Sequence, residues 1–428
     1  MADTIFALSS GAPPAAIAIV RVSGPGAFAA GTALAGDLPE PRVAALRALR
    51  DPESRTLLDR ALVLAFPAAT SATAEDLIEL HLHGGRAVVN AVEAALVRQA
   101  DLRRAEPGEF TRRALLAGKI DLSEAEGLGD LLTAETEAQR RAAIESAEGA
   151  VGRLAEGWRA RLLEIAAQVE AELDFSDEDD VHPAAPAAVA AACATLAEAI
   201  EAALNNPPVE RLRDGIRVTL AGPPNSGKST LLNALIEREA AIVSPIAGTT
   251  RDRIEAPVQR NGVAYLLTDT AGLVERTDDP IERIGIARSG EAIAAADILV
   301  WLGDTPPPRA GALWVHTQAD RPGREQVSID RDCGLSAVTG QGLDHLWELL
   351  ASRAIALLPR LDRVALNRRQ RDCIRDAAEA LRRAQREVDW LLLAEELRIA
   401  RLALDRLTGR ADVEAVLDTV FARFCIGK

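Results

Sequence analysis

The sequence predicts a multidomain α/β protein: an N-terminal α+β domain, a helical bundle domain, and an α/β domain with a mainly parallel sheet inserted into the bundle. Length is the first reason, because 428 residues exceed the roughly 150 that one ordinary core holds. Composition is the second, because aromatic residues make up only 3% and alanine is abundant, which favours helices over an all-β sandwich. Third, short apolar strands alternate with helices between residues 213 and 357.

The N-terminal α+β domain is predicted to cover residues 1–119. Apolar runs at residues 17–22 and 77–82 indicate strands, and the periodicity of residues 86–99 indicates a helix. Glycine and proline turns separate these elements.

A first helical part is predicted to cover residues 120–212. Ser123, with Glu126 three places on, indicates a capping box that opens a helix running to about Leu173. A second helix, at residues 184–204, ends at the Asn-Asn-Pro-Pro turn that begins at Asn205.

Residues 213–357 are predicted to form the inserted domain, and residues 358–428 the second helical part. Each helical part alone would expose an apolar stripe, and pairing the two parts in one bundle buries both. The sequence contains no internal repeat of 20–50 residues.

Cysteine spacing and charge exclude several classes of protein. Cys193, Cys333, Cys373 and Cys425 lie far apart without a CxxC or CxxH spacing, which argues against a disulfide framework and a structural zinc site. The chain shows neither a secretory signal nor a run of about 18 uncharged apolar residues, so we expect a cytoplasmic protein. The net charge of −15 opposes non-specific binding of nucleic acid, although residues 360–410 carry a surplus of positive charge.

The predicted strand at residues 216–221 runs directly into a phosphate-binding sequence. Residues 222–229 read GPPNSGKS, the G-x-x-x-x-G-K-S pattern of a Walker A loop, and a helical segment follows. In this pattern the glycines let backbone N–H groups face the phosphates. We therefore expect Lys228 to reach the β- and γ-phosphates and the Ser229 hydroxyl to hold Mg²⁺.

Segments further along the chain indicate GTP rather than ATP. The polar loop at residues 248–252 places Thr250 to reach Mg²⁺, and Asn261-Gly262 indicates a type I′ hairpin between two strands. The second of these strands ends in the DTAG of residues 269–272, whose aspartate can bind Mg²⁺ through water. A DxxG after a Walker A loop predicts a Ras-like P-loop GTPase domain.

The loop that would bind guanine departs from the usual Asn-Lys-x-Asp pattern. Residues 317–320 read TQAD, so only Asp320 remains to accept two hydrogen bonds from guanine. The stretch before it, residues 304–311, is too short for the usual intervening helix. We therefore expect a preference for GTP with weakened affinity.

A second departure concerns hydrolysis. Leu273 follows the DxxG, where Ras-like enzymes carry a glutamine that orients the attacking water. Asn225 offers a neutral oxygen near the phosphates, where a monovalent cation could stand in for an arginine finger. Glu282 is a candidate to orient the water, and its spacing also fits a solvated helix residue.

Several segments together resemble the bacterial MnmE (TrmE) family of tRNA modification GTPases. In the second half these are GPPNSGKST (222–230), IAGTTRD (246–252), DTAGL (269–273), IERIGI (281–286) and FCIGK (424–428). In the first half they include AIVRVSGP (18–25), LIELHLHGG (77–85) and ELDFSDED (172–179). The resemblance spans essentially the whole chain.

The resemblance implies an activity and partners. The family's N-terminal domain dimerises and binds a tetrahydrofolate derivative of the 5-formyl or 5,10-methylene type. Together with a flavin-dependent partner of the MnmG (GidA) type, in a heterotetramer, the family adds an aminomethyl or carboxymethylaminomethyl group to C5 of the wobble uridine (U34) of certain tRNAs. Potassium-dependent pairing of two G domains drives GTP hydrolysis.

The resemblance also implies functional residues. Mg²⁺ would meet Ser229 and Thr250, and K⁺ would meet Asn225, Ser244, Ile246 and Thr249. Folate contacts would be made by Arg21, Glu79, Lys119 and Lys428. Catalytic roles would fall to Lys228, Thr249, Thr250, Glu282 and Cys425. The expected GTP-binding residues are Asn225, Ser226, Gly227, Lys228, Ser229, Thr230, Ser244, Pro245, Ile246, Ala247, Gly248, Thr249, Thr250, Asp269, Thr270, Ala271, Gly272, Thr317, Asp320, Ser336, Ala337 and Val338.

Alternatives remain at three levels. Glu79, His81 and His83 share one strand face, so a metal site is an alternative to folate there. Cys425 is either a buried helix-end cysteine or a working residue near the folate. For the chain as a whole, the alternatives are a ribosome-assembly or signalling GTPase switch, which would need a strongly basic RNA-binding appendage, and a folate-dependent methyltransferase with a regulatory G domain.

Overall fold

The computed structural model describes residues 3–175, 186–237, 240–241, 255–270, 290–360, 362–411, 414–421 and 424–427. The chain divides into two compact units. The first unit is made of Met1–Gly129, Ala147–Arg159 and Arg401–Lys428, and the second of Asp130–Ser146 and Ala160–Ala400. Among the described residues each unit contains one large β-sheet.

A six-stranded sheet forms the centre of the first unit, in the order β3-β4-β5-β2-β1-β6. Its neighbours are antiparallel except β1 and β6, which are parallel. The strands are β1 Thr4–Leu8, β2 Ile17–Ser23, β3 Ala45–Arg50, β4 Leu57–Phe66, β5 Leu77–His83 and β6 Leu102–Arg104. The strands predicted at residues 17–22 and 77–82 are therefore confirmed.

Side-chain alternation gives this sheet two different faces. Ile78, Leu80 and Leu82 of β5 are buried, while Glu79 and His81 point to the other side. Helices α1 (Ala27–Ala35) and α2 (Arg86–Val97) cover the buried face and share one apolar core with it. The opposite face of β5 is thereby left to carry the polar residues of the candidate folate site.

The first unit also contains the helix that follows the sheet and the last residues of the chain. Helix α3 is Glu109–Leu116, α4 is Leu122–Thr133, α5 is Glu137–Ala147 and α6 is Ala150–Phe175. Helices α4 and α6 have residues in both units, and α5 lies in the second unit up to Ser146. These bounds contradict the prediction of one helix running to about Leu173.

Local hydrogen bonds explain why that one helix is divided into three. Gln139 Oε1 accepts the N–H groups of Glu135 at 2.7 Å and Thr136 at 2.8 Å, and Thr136 Oγ1 accepts the N–H of Gln139, so a new helix begins here. Gly149, with a φ of +81°, then separates the second helix from the third.

The predicted capping box at Ser123 is also wrong. The N–H of Glu124 donates to Asp121 Oδ1 at 2.8 Å, and Glu124 Oε2 accepts the N–H of Asp121 at 2.6 Å. The reciprocal box therefore starts two residues earlier than predicted, because Asp121 is as good a cap as serine.

The C-terminal residues are part of the first unit's fold. Ile426 forms an antiparallel bridge with Pro107, and the N–H of Gly108 donates to the carbonyl of Cys425 at 3.4 Å. Phe424 packs in a small core with Phe421 and Leu122. The FCIG segment is thus held against the loop that precedes α3.

A seven-stranded sheet forms the centre of the second unit, in the order β13-β12-β11-β7-β10-β9-β8. The five strands from β13 to β10 run parallel, and β9 and β8 are antiparallel additions. The strands are β7 Ile216–Ala221, β8 Ala240–Ala241, β9 Glu255–Arg260, β10 Val263–Asp269, β11 Ile298–Trp301, β12 Leu313–His316 and β13 Cys333–Gly334. This mainly parallel sheet confirms the predicted class of the domain.

Two local predictions in this sheet are confirmed. Asn261 and Gly262 have φ values of +51° and +77°, as a type I′ hairpin between β9 and β10 requires. Residues 302–312, which connect β11 to β12, are all described and contain no helix. This agrees with the prediction that the connection is too short for one.

Helices complete the second unit. They are α7 Pro186–Ala203, α8 Glu210–Arg213, α9 Lys228–Glu237, α10 Leu343–Leu357, α11 Arg368–Ala384 and α12 Trp390–Thr408, of which α12 also reaches the first unit, where α13 Glu414–Phe421 follows. Helices α9 and α10 bury Leu231, Leu235 and Trp347 in the core of the sheet.

In the described residues, helix α7 alone has the length and apolar composition that crossing a membrane requires. Its Val189, Cys193 and Ile200 are buried, and Glu201 pairs with Arg382 of α11 at 2.8 Å. Core helices of water-exposed proteins meet the same composition test, and α7 packs along α11. We interpret α7 as a helix of the predicted bundle.

Three of the four cysteines are buried: Cys193, Cys333 and Cys373, whereas Cys425 is exposed. All four are free thiols. Burial raises the pKa of Cys193 and of Cys333 to about 11. The structure therefore agrees with the exclusion of a disulfide framework.

Asn206 joins the chain before the seven-stranded sheet to the chain after it. Its side chain is 3% exposed, accepts the N–H of Arg360 at 2.9 Å and donates to the carbonyl of Val364 at 3.2 Å. Arg371 adds a bond to the carbonyl of Asn206 at 2.6 Å. These contacts fix where the chain enters and leaves the sheet.

Replacing Asn206 by alanine is expected to destabilise the protein by about 1–3 kcal/mol, because buried backbone groups lose their partners. Urea unfolding followed by circular dichroism measures this loss. The matched control is Asn205→Ala, since Asn205 is exposed. Equal unfolding midpoints for the two variants would contradict the role of Asn206.

Candidate nucleotide and folate sites

The phosphate loop lies between β7 and α9, at the carboxyl edge of the parallel strands. Asn225 and Gly227 have φ values of +62° and +92°, and such left-handed positions turn successive N–H groups to one side of a loop. The loop is followed at once by the N-terminus of α9, whose first residue is Lys228. This is the arrangement in which backbone groups bind phosphate.

The Lys228 ammonium bends back over this loop. It donates to the carbonyls of Gly222 at 3.0 Å and Pro223 at 2.9 Å and is buried. Burial lowers the pKa of Lys228, and the charge of Asp269 only partly opposes this. A buried cation held mainly by neutral carbonyls fits an anionic ligand.

Ser229 and Asp269 bring two oxygen ligands together. The Ser229 hydroxyl donates to Asp269 Oδ2, and Asp269 is 4% exposed at the end of β10. Strands β7 and β10 are direct parallel neighbours, which explains why residues forty apart meet. This hard-oxygen pair fits Mg²⁺.

Thr270 and Thr230 are two further residues that the sequence predicts to contact GTP. Thr270 Oγ1 donates to the carbonyl of Leu220 at 3.0 Å and is buried, so its hydroxyl joins β10 to β7. Thr230 is exposed in the first turn of α9.

The base loop follows β12. The Ser336 hydroxyl is hydrogen-bonded to Asp320, which lowers the pKa of that carboxyl and keeps it an ionised acceptor. Ser336 is fully buried and also accepts the N–H of Thr339 at 3.1 Å. The N–H of Ala319 donates to the carbonyl of Leu335 at 3.1 Å, so the segments with Asp320 and with Ser336, Ala337 and Val338 lie together.

Thr317 and Gln318 contact the phosphate loop. Thr317 Oγ1 donates to the carbonyl of Ser226 at 2.8 Å, and Gln318 Nε2 donates to the carbonyl of Asn225 at 3.0 Å. The sequence analysis did not predict a contact for Gln318. It noted only that this position of the Asn-Lys-x-Asp pattern lacks its usual lysine. The amide donor of Gln318, two residues before the guanine-binding aspartate, was the available signal.

Several predicted site residues lie outside the described residues. They are Ser244, Pro245, Ile246, Ala247, Gly248, Thr249, Thr250, Ala271, Gly272, Glu282 and Lys428. Leu273 lies there too. Their predicted roles remain predictions.

The open face of the first sheet brings together two of the four predicted folate contacts. Arg21 Nε donates to Glu79 Oε1 at 2.8 Å, and His81 Nε2 lies 3.1 Å from Glu79 Oε2. Burial alone would raise the pKa of Glu79, but the hydrogen bonds from His81 and Arg21 outweigh burial and lower it. Lys119 is exposed and donates to the carbonyl of Ala69 at 3.0 Å.

The metal alternative at this face gains no support. Within the described ranges, no group of three His, Cys, Asp or Glu side chains is arranged to hold a metal ion. His83 pairs with Asp59 at 2.7 Å instead of joining Glu79 and His81. Of the two alternatives for Cys425, the buried helix-end cysteine is excluded, because the residue is exposed beyond α13; its role near the folate stays a prediction.

Comparison with known families decides the identity. Residues 4–119 match the family model "GTP-binding protein TrmE N-terminus", and residues 122–425 match "MnmE helical domain". The chain belongs to the MnmE family of tRNA modification GTPases. It is therefore a GTP-hydrolysing enzyme, and the predicted family and fold class are confirmed.

Full-length relatives agree with MnmE membership. The tRNA modification GTPase MnmE of Rhizorhabdus wittichii is 57% identical over 428 residues, covering 100% of this chain and 97% of the relative. That of Erythrobacter litoralis is 55% identical, with both chains covered completely. The G domain of the T. maritima FeoB iron transporter is 24% identical over 32% of this chain and 98% of its own, but its TM-score of 0.24 supports no conclusion.

Removing the Glu79 charge is expected to make stability less dependent on pH. The lowered pKa means that the ionised carboxylate stabilises the folded state above its ordinary pKa of 4.5 and loses this effect as the pH falls below that value. Glu79→Gln should therefore destabilise the protein by about 1–3 kcal/mol at neutral pH. The difference from the unsubstituted protein should shrink in acid.

Urea unfolding at a series of pH values measures this difference. Glu40→Gln, at an exposed carboxylate, is the control and should change stability little at any pH. A Glu79→Gln difference that stays constant across the series would contradict the ion pair with Arg21.

Proposed function

We propose that this MnmE-family enzyme is a potassium-activated GTPase that takes part in the modification of the wobble uridine (U34) of certain tRNAs. With a flavin-dependent partner of the MnmG (GidA) type, it adds an aminomethyl or carboxymethylaminomethyl group to C5, using a one-carbon unit from 5-formyl- or 5,10-methylene-tetrahydrofolate. The supporting observation is that the chain combines a phosphate loop with an ionised Glu79–Arg21 pair on a separate sheet. A GTPase switch alone has no use for that second site.

At the phosphate loop, Lys228 has a defined task. Its ammonium would exchange the carbonyls of Gly222 and Pro223 for phosphate oxygens. Ser229 and Thr250 would hold Mg²⁺, with Asp269 accepting from a bound water. The described Ser229–Asp269 pair supports this assignment.

The residues that would bind K⁺ and orient the attacking water are assigned from the family resemblance. Asn225, Ser244, Ile246 and Thr249 would supply oxygens to K⁺, and Glu282 would orient the water. Of these, Asn225 lies in the described loop, where its left-handed backbone supports a special role. Bound K⁺ would supply positive charge where Ras-like enzymes use an arginine.

At the open face of the first sheet, the Glu79 carboxylate is suited to accept hydrogen bonds from a ligand. The carboxylate is ionised and largely shielded from solvent, so it suits the N–H groups of a pterin. Arg21, Lys119 and Lys428 would meet the negative glutamate tail of the folate. The exposed Cys425 thiol would lie near the one-carbon unit.

Exposed apolar side chains support the proposed homodimer. Ile17, Leu46 and Leu62 are 58%, 62% and 44% exposed, and the strand register puts them on the sheet face that carries Glu79. Burying them against a second copy removes apolar surface from water.

Ion pairs made by the basic segment of residues 360–410 support the proposal that tRNA is contacted mainly through the complex with the MnmG-type partner. Arg382, Arg383 and Arg398 of the basic segment pair with Glu201, Glu396 and Glu395. These arginines are therefore partly neutralised within the chain, and the total charge remains −15.

Nucleoside analysis of tRNA from a strain lacking the protein tests the tRNA role. We expect the modified wobble uridines to disappear and to return with the unsubstituted gene, but not with Lys228→Ala. Unchanged wobble uridines would contradict the proposal and leave a GTPase switch without modification chemistry.

Potassium activation is tested separately. GTP turnover should be higher in KCl than in NaCl at equal ionic strength, because Na⁺ is too small for a site built for K⁺. Replacing Asn225 by alanine should remove this difference. Equal turnover in the two salts for the unsubstituted enzyme would rule out the cation.

A further inference from the structure

The turn of residues 106–109, which leads into α3, is closed by the side chain of Glu109. Glu109 Oε2 accepts the N–H of Glu106 at 2.8 Å, and the Glu109 N–H donates to the Glu106 carbonyl at 3.2 Å. Glu109 is only 8% exposed. A carboxylate buried in this way is stable only with charged or hydrogen-bonding partners, so the turn depends on what else binds Glu109.

Two arginines bind the Glu109 carboxylate. Arg103 of β6 donates to both carboxylate oxygens, from Nη1 at 2.8 Å and from Nη2 at 2.6 Å, and Arg113 of α3 donates at 2.9 Å. Burial alone would raise the pKa of Glu109, but these hydrogen bonds and the one from the Glu106 N–H lower it. The bidentate bond from Arg103 fixes the orientation of the carboxylate as well as its position.

The C-terminal segment of the chain lies on the same turn. Pro107 forms the antiparallel bridge with Ile426, and the Gly108 N–H donates to the Cys425 carbonyl at 3.4 Å. Gly108 has a φ of +70°, and a Cβ atom there would lie 2.9 Å from the Cβ of Phe421, so the turn approaches α13 as closely as glycine allows. The shape of the turn therefore sets where the Cys425 backbone lies.

Hydrogen bonds also connect the turn to the strand that carries Arg21. Arg113 Nη1 donates to both oxygens of Glu75, at 3.1 and 3.0 Å, and the Ser23 hydroxyl donates to Glu75 Oε2 at 2.9 Å. Ser23 is fully buried at the end of β2, two positions after Arg21 and therefore on the same face of the sheet. The candidate folate face and the turn that holds Cys425 thus share one set of ion pairs.

We propose that Glu109 is a positioning residue that sets where the Cys425 thiol lies relative to a folate bound at Arg21 and Glu79. Transfer of a one-carbon unit needs reacting atoms about 3–3.5 Å apart, and a displacement of about 1 Å can cost about a hundredfold in rate. This inference rests on the proposed function, which places Cys425 near the one-carbon unit. It gives the buried ion pairs at the start of α3 a role in the reaction beyond stabilising the fold.

Glu109→Gln tests this role, because it keeps the size of the side chain and removes the charge that binds both arginines. Glu93→Gln is the matched control, since Glu93 is also 8% exposed and pairs with Arg104 at 2.7 Å, but lies on α2. Arg103→Lys is a milder second variant: it keeps the positive charge of a partly exposed residue and loses the two-pronged bond. The melting temperature of each variant shows whether it folds, and Arg103→Lys carries the test if Glu109→Gln does not.

In the complex with the flavin-dependent partner, we expect Glu109→Gln to lower the rate of wobble-uridine modification about tenfold to a hundredfold. The dissociation constant of 5-formyltetrahydrofolate and the GTP turnover in KCl should stay unchanged. Peptides that cover Gly108 and Ile426 should exchange their amide hydrogens about tenfold faster, because the segment detaches from the turn more often. Arg103→Lys should show the same pattern more weakly, and Glu93→Gln should show none of it.

Three results would overturn the inference. The first is amide exchange at Gly108 and Ile426 that stays as slow as in the unsubstituted protein. The second is faster exchange with an unchanged modification rate. The third is a rate that falls only because folate binds more weakly, which is the behaviour expected of Glu79→Gln and would assign Glu109 to ligand binding.

Failure of the proposed function would look different. An unsubstituted complex that modifies no tRNA would refute the proposed function, and this inference with it. A Cys425→Ser complex that modifies tRNA at the full rate would refute the proposed role of Cys425 in the same way. Neither result depends on a substitution at Glu109.

Discussion

A phosphate loop made of glycine, proline and small polar residues has few contacts of its own, so its shape depends on what surrounds it. In this protein the loop is fixed at both ends by β7 and α9, whose Leu220 and Leu231 are fully buried in the sheet core. Its middle is held by hydrogen bonds from the base loop. Phosphate binding and base reading are thus parts of one hydrogen-bonded arrangement.

The seven-stranded sheet imposes a second constraint, because the chain must reach it and leave it through neighbouring segments. Asn206 satisfies this by bonding to the backbone at Arg360 and Val364. Gln139 acts similarly for the α5 segment, donating from Nε2 to the carbonyl of Leu212 at 2.9 Å. Buried amide side chains, each able to donate and accept, are suited to joining backbone segments that share no regular structure.

Sequence reasoning located the elements whose signals are local. The strand before the phosphate loop, the Asn261-Gly262 hairpin and the helix-free connection after β11 all follow from composition and turn chemistry. It failed where neighbouring signals compete: Asp121 caps α4 in place of Ser123, and Thr136 begins a new helix inside a continuous helical pattern. The contact of Gln318 with Asn225 depends on three-dimensional proximity that spacing does not reveal.

Because Cys425 is the exposed one of the four cysteines, the C-terminal segment can be labelled selectively. Three cysteines are shielded, and the raised pKa of Cys193 and of Cys333 keeps them protonated near neutrality. A maleimide dye will therefore attach selectively at Cys425, whose backbone is bonded to Gly108. Its fluorescence then reports, without any substitution, whether the last residues remain against the loop that precedes α3 during GTP turnover.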